Sequence, residues 1–201
     1  RDGHARLLMH PGQRPHRFDL ARMHQEAGVP VTRISIQAAF GCNYAGDVAP
    51  AQVVQAVADG MEIAAEAGAT ITEITLADTM GWGTPPRIER GVGAVRERWP
   101  DAPIALHLHD TRGLGIANAA AGLRLGVTRY DTTVGGLGGC PFAGQPGAPG
   151  NICTEELVLL CEEMGIATGV DLDALIAAGH LAEEIVCLLY TSPSPRDRQK
   201  S

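Results

Sequence analysis

The chain lacks the features that would place it in several broad classes. No apolar run approaches the length needed to cross a bilayer. The first residues show no basic-then-apolar pattern of a secretory signal. Positive charge is in short supply: 16 Lys and Arg stand against 23 Asp and Glu, a formal net charge of −7. A nucleic-acid partner needs clustered Lys and Arg against its phosphates, so that class is excluded. The five cysteines (Cys42, Cys140, Cys153, Cys161 and Cys187) are an odd number without disulfide-like spacing. That usage favours a reducing compartment, and a cytoplasmic location is expected. What is present is an apolar content of 45% over 201 residues, enough for one domain with a real core.

Both ends stand apart from the middle. Residues 1–29 carry His4, His10, His16 and His24 with no consistent period, and a surface position explains them more simply than metal binding. Residues 187–201 turn polar and Pro-rich from Tyr190 onward and break an apolar helical pattern without a cap. They are read as a non-native tail. The domain is therefore expected over residues 30–186.

Within it, strand-like and helix-like segments alternate. Val31–Ala38 is β-branched and alternating; Pro50–Ala67 places Val53, Val54, Val57, Met61 and Ala64 at helical spacing and stops at Gly68. Thr70–Asp78 is the next strand, and Pro85-Pro86 opens a helix with Ile88, Val92 and Val95 on one face. Ile104–His109 precedes an Ala-rich helix ending at Gly126, and Thr128–Val134 is the fourth strand. Two helical stripes follow, Leu157 to Met164 and one beginning at Leu172. Strands alternating with helices over short links predict a parallel α/β sheet. Chemistry in such sheets gathers at the C-terminal strand ends. Four βα units are half of an eight-unit barrel, so the fold is either a small open sheet or the second half of a truncated barrel.

Those strand ends carry reactive groups. His107 and His109, two residues apart on a strand, project from one face. Burying two imidazoles on one face is unusual without a purpose, and with an oxygen donor they make a divalent-metal site. Asp110 is placed to orient one imidazole. Oxygen as the remaining donor suits Mg²⁺ or Mn²⁺ better than a closed zinc site. Cys140 follows the glycine run Gly135-Gly136-Leu137-Gly138-Gly139. A free cysteine is usually a small buried hydrophobe, but glycines ahead of it permit loop movement, and a thiol can be tuned to exchange a proton near neutral pH. Gly150-Asn151 offers an amide oxygen ahead of a helix. A competing pattern, Gly113-Leu-Gly115-Ile-Ala-Asn118 with Asp131 in the next strand, approaches a dinucleotide fingerprint but has Asn118 in place of its third glycine.

At these residues the chain resembles a known family. Ala39-Phe40-Gly41-Cys42, Leu76-Ala77-Asp78-Thr79-Met80-Gly81, His107-Leu-His109-Asp110-Thr111, Gly136-Leu-Gly-Gly-Cys140-Pro141-Phe142, Gly150-Asn151 with Thr154-Glu155, and Thr168-Gly169-Val170-Asp171-Leu172 resemble the C-terminal half of hydroxymethylglutaryl-CoA lyases. These are metallolyases built on (β/α)8 TIM barrels. The Gly-Gly-Cys-Pro string is the specific one; related condensing synthases share His-Xaa-His and Gly-Asn but resemble this loop poorly. Asn43 departs from the proline usual in relatives.

The resemblance implies the second half of a TIM barrel followed by C-terminal helices. It implies His107, His109 and Asn151 as ligands of Mg²⁺ or Mn²⁺, Cys140 as the catalytic loop cysteine, Asp78 as an active-site carboxylate and Glu155 as a supporting residue near the metal. The family's aspartate ligand lies in an Arg-Asp-Gly string; Arg1-Asp2-Gly3 stands too close to His107 to be it, so that ligand and its arginine are expected to be missing. The implied reaction is retro-Claisen cleavage of 3-hydroxy-3-methylglutaryl-CoA, with His107 and Asp78 both open as the hydroxyl base. An acyl-CoA substrate and, at full length, a homodimer follow from the same resemblance. Two other expectations stand beside it: a lyase-like enzyme acting on another 3-hydroxyacyl-CoA, and an inactive half-barrel with open edge strands.

Overall fold

The computed structural model describes residues 14–138 and 150–186. Helix α1 (Arg14–Glu26) leads into strand β1 (Arg33–Ile36), followed by α2 (Pro50–Glu66), β2 (Glu73–Ala77), α3 (Pro85–Arg98), β3 (Ile104–His107), α4 (Gly115–Arg124) and β4 (Arg129–Asp131). A short 3-10 turn (Val134–Gly136) and helices α5 (Thr154–Glu163) and α6 (Leu172–Val186) complete the described chain. The four strands form one parallel sheet in the order β1-β2-β3-β4. Among the described residues no helix is long and apolar enough to cross a membrane.

The helices form where the sequence signals them. Pro85 supplies the fixed φ of a first helical turn. The end of α2 is closed by Gly68 at φ 71°, with Gly68 N–H donating to Ala65 O and Ala69 N–H to Ala64 O; glycine takes this left-handed position without a Cβ penalty. Helix α1 has no clear signal in the sequence: its apolar residues are sparse, and Leu20 and Met23 stay exposed while Ala21 is buried. Each strand is also shorter than its apolar run, because flanking residues such as Thr70 and Thr72 have no ladder partner in register.

Alternation gives the sheet two unlike faces. Ile74, Leu76, Leu106 and Leu108 point to the helix layer and pack with Val53 and Val57 of α2, Ile88, Val92 and Val95 of α3, and Ala119 of α4, all nearly solvent-free. Burial of this kind contributes roughly 1.5–3 kcal/mol per large side chain. The opposite face carries Arg33, Glu73, Thr75, His107, Arg129 and Asp131, placed together by the registers Arg33↔Glu73, Ala105↔Arg129 and His107↔Asp131. No described helix covers this polar face.

Candidate active site

The site begins where β3 ends. Beyond His107 the chain continues extended, and the segment Gly150–Cys153 is wedged beside it. Ile152 N–H donates to Leu108 O at 3.1 Å and Asp110 N–H to Gly150 O at 2.7 Å. On the other side Thr133 N–H donates to Ile152 O at 3.2 Å and Thr154 N–H to Thr133 O at 3.0 Å. This wedge brings Asn151 opposite His109, although the two are far apart in sequence.

The two imidazoles converge. His107 Nε2 and His109 Nε2 lie 3.1 Å apart, with ring centroids 5.0 Å apart and planes tilted by 60°. Two nitrogens on adjacent octahedral positions about 2.1 Å from one ion are about 3.0 Å apart, so this separation suits a shared cation. Asn151 Nδ2 donates to Leu137 O at 3.1 Å, while its buried Oδ1 makes no well-formed hydrogen bond and has the His109 ring beside it, which leaves lone-pair capacity for a further ligand. Burial, and then the neighbouring His107 ring, hold the His109 imidazole below its ordinary pKa. The shift favours the neutral ring, the form whose lone pair can bind a cation. This set of two nitrogens and one oxygen could hold a divalent cation, and no group of three or more His, Cys, Asp or Glu competes with it among the described residues.

The glycine run is anchored against the same place. Gly135, Gly136 and Gly138 all have positive φ. A Cβ on Gly138 would stand 2.7 Å from Asn151 Nδ2, so only glycine lets the chain cross over that amide. Glu155 is fully buried and holds the Gly135 N–H with both oxygens, at 3.0 and 3.1 Å. Cys153 Sγ donates to Glu155 Oε2 at 2.8 Å; burial, reinforced by Glu155, pushes that thiol up to about 12. Glu155 thus braces the turn that leads toward Cys140. Cys140 itself lies outside the described residues.

Two expected residues are not brought to the imidazoles. Asp78 shares the parity of Leu76 and faces the helices, with Oδ1 accepting from Gly83 N–H at 2.8 Å. Burial pushes its carboxyl up to about 6, against the pull of the Gly83 and Trp82 N–H groups and of Arg112 and Arg87. Asp110, one residue beyond His109, also falls on the far face; its Oδ1 accepts from Gly115 N–H at 2.7 Å and serves the start of α4. Asp131, by contrast, stands out in the sequence only within the dinucleotide pattern, yet its Oδ2 lies 3.6 Å from His107 Nδ1. Their meeting depends on the β3–β4 register, which alternation within one strand does not supply. Gly115 owes its small size to packing: a Cβ there would meet Ile152 at 2.4 Å.

Parallel βα units with polar groups at the C-terminal strand ends define the α/β class. Within it, residues 14–182 match the HMGL-like family, and the chain belongs to that family. It is 46% identical over 145 residues to the (R)-citramalyl-CoA lyase of Chloroflexus aurantiacus, covering 72% of this chain and 43% of the relative. It is 42% identical over 153 residues to the hydroxymethylglutaryl-CoA lyase YngG of Bacillus subtilis, covering 76% and 48%. The crystal structure of hydroxymethylglutaryl-CoA lyase from Pseudomonas aeruginosa superposes with a TM-score of 0.77 at 34% identity, covering 94% of this chain and 58% of that one. The chain spans about half the length of the curated relatives it matches.

Proposed function

We propose that the chain carries the metal-binding and loop portion of a carbon–carbon lyase that cleaves 3-hydroxy-3-methylglutaryl-CoA to acetyl-CoA and acetoacetate. The observation that supports it best is the convergence of His107 Nε2 and His109 Nε2 beside the buried Oδ1 of Asn151, in a chain of the HMGL-like family. His107, His109 and Asn151 would hold Mg²⁺ or Mn²⁺. Such an ion, when bound, lowers the pKa of a ligated hydroxyl and orients the substrate.

The chain's own residues do the rest. The tertiary hydroxyl gives up its proton to a base, the C2–C3 bond breaks, its electron pair goes to the thioester side as an enolate, and acetoacetate leaves. Of the two candidate bases, His107 stands at the site, where an ion on Nε2 would occupy the lone pair that a base needs, and Asp78 stands behind the sheet; neither is assigned as the base. Cys140 supplies the proton to the enolate carbon, and the glycine run closes over the site to exclude water. In this division of labour Cys140→Ala lowers turnover by several orders of magnitude and leaves Mn²⁺ affinity nearly unchanged. Equal loss of both would contradict it.

A second substrate is favoured by one observation, the 46% identity to a citramalyl-CoA lyase. The experiment that separates the two uses a chimera in which residues 14–186 replace the matching region of the Bacillus subtilis relative. Metal-dependent acetoacetate release from hydroxymethylglutaryl-CoA supports the first reading. Turnover of citramalyl-CoA alone transfers the site to the second substrate. No turnover of either, with the chimera folded, removes the lyase assignment.

A further inference from the structure

The imidazole of His107 has a partner on each side. Nε2 faces His109, and Nδ1 faces Asp131 Oδ2 at 3.6 Å, inside ion-pair range but longer than a hydrogen bond. The register makes this encounter structural: His107 pairs with Asp131 across β3 and β4, so both side chains leave the same face. Asp131 is held from behind. Arg33 donates through both terminal nitrogens, one to each carboxylate oxygen, at 3.2 Å. Arg33 belongs to β1, the far edge of the sheet, so the strand curl of the half-barrel brings the first strand to the last. Its Nε donates in turn to Glu73, which also accepts from Arg129 at 2.9 Å. Two guanidinium and two carboxylate groups form a charge-balanced cluster that ends at one imidazole.

We propose that Asp131, fixed by Arg33, is the positioning residue for His107: it takes the Nδ1–H of the ring and leaves the Nε2 lone pair turned to the point shared with His109. A carboxylate on one imidazole nitrogen selects the tautomer and raises the basicity of the other. Asp110 has no access to this task, because its carboxylate is committed to Gly115 on the opposite face. Arg33 prevents Asp131 from rotating away, and its planar fork does so in a way that a lysine ammonium cannot reproduce. The role in metal binding rests on the reading given above; the ring's tautomer does not.

The test uses the full chain labelled with ¹⁵N-histidine, with His107→Gln to assign the His107 signals. In the wild type, at a pH where the ring is neutral, His107 is expected as a single tautomer protonated on Nδ1. Asp131→Asn is expected to give a mixture or the opposite tautomer, and Arg33→Lys to move the ratio the same way by a smaller amount. Mn²⁺ affinity, read by paramagnetic resonance of the free ion, is expected to fall about 10–100-fold in Asp131→Asn. An unchanged tautomer in Asp131→Asn overturns the proposal, even where the melting temperature drops. If Asp131→Asn does not fold, an unchanged tautomer in Arg33→Lys overturns it equally. A wild type that takes up no Mn²⁺ refutes the metal reading, while the tautomer ratio still decides the role of Asp131.

Discussion

At the scale of single residues, parity along the strand decides which groups meet. His107 and His109 share a face with Asp131, whereas Asp78 and Asp110 lie on the other. Asp78 illustrates what that costs. Its carboxyl is solvent-free, one oxygen has no partner, and both ends of the Asn118 amide nearby are unpartnered as well. A Cβ on Gly83 would stand 2.6 Å from Asp78 Oδ2 and 2.9 Å from Asn118 Nδ2, so the two side chains close over the same glycine. Burial raises Asp78 from 3.8 to about 6. Below about pH 4 the group is protonated in both folded and unfolded chains and carries no penalty. As the pH rises toward 6 the unfolded chain ionises first, and stability falls. Above about pH 6 the penalty is constant at about 3 kcal/mol. Asp78→Asn should therefore be more stable than the wild type at pH 7.5 by up to about 3 kcal/mol, with the gap closing near pH 4. Urea unfolding at the two pH values measures this. If Asp78 instead serves as the hydroxyl base, the same variant in the chimera loses turnover.

At the scale of elements, the wedge 150–153 and the turn 134–136 form one unit around Glu155. The carboxylate is the only group bonded to the Gly135 N–H among the described contacts, and α6 approaches so closely that a Cβ on Gly179 would stand 2.3 Å from Glu155 Oε1. Glu155→Leu leaves that N–H buried and unpaired, an expected loss of about 1–3 kcal/mol. Gly179→Ala pushes the carboxylate off the turn and should lower stability comparably, roughly 1–3 kcal/mol. Thermal unfolding of both variants checks this. The core behind the sheet sets a reference. Leu106→Ala, at a fully buried site, is expected to cost about 2–5 kcal/mol.

At the scale of the whole molecule, one sheet face is covered by helices and the other carries a charged cluster. Among the described residues each edge strand, β1 and β4, is paired on one side only. Hydrogen exchange should accordingly be slowest in β2 and β3 and faster in β1 and β4. A cation held by His107, His109 and Asn151 ties β3 to the wedge and so binds only the folded chain. Mn²⁺ at about 100 times its Kd should stabilise the wild type by about 2.7 kcal/mol. His109→Ala should abolish the rise in Tm. A rise of equal size in that variant would place the ion elsewhere.

Much of this protein was readable from its residues in order. Alternating β-branched runs, helical stripes closed by Gly68, Gly126 and Gly165, and the His-Xaa-His spacing are local properties, governed by periods of 2 and 3.6 residues. They sufficed for a parallel α/β chain with a candidate metal pair at a strand end. Helix α1 escaped because its apolar stripe is weak and its burial is slight. The meeting of His107 with Asp131, the approach of Arg33 across the sheet and the clamp of Glu155 on Gly135 were decided only by the tertiary structure. Each depends on strand register, on sheet curl or on the insertion of residues 150–153, and those are set by long-range packing that no local period encodes.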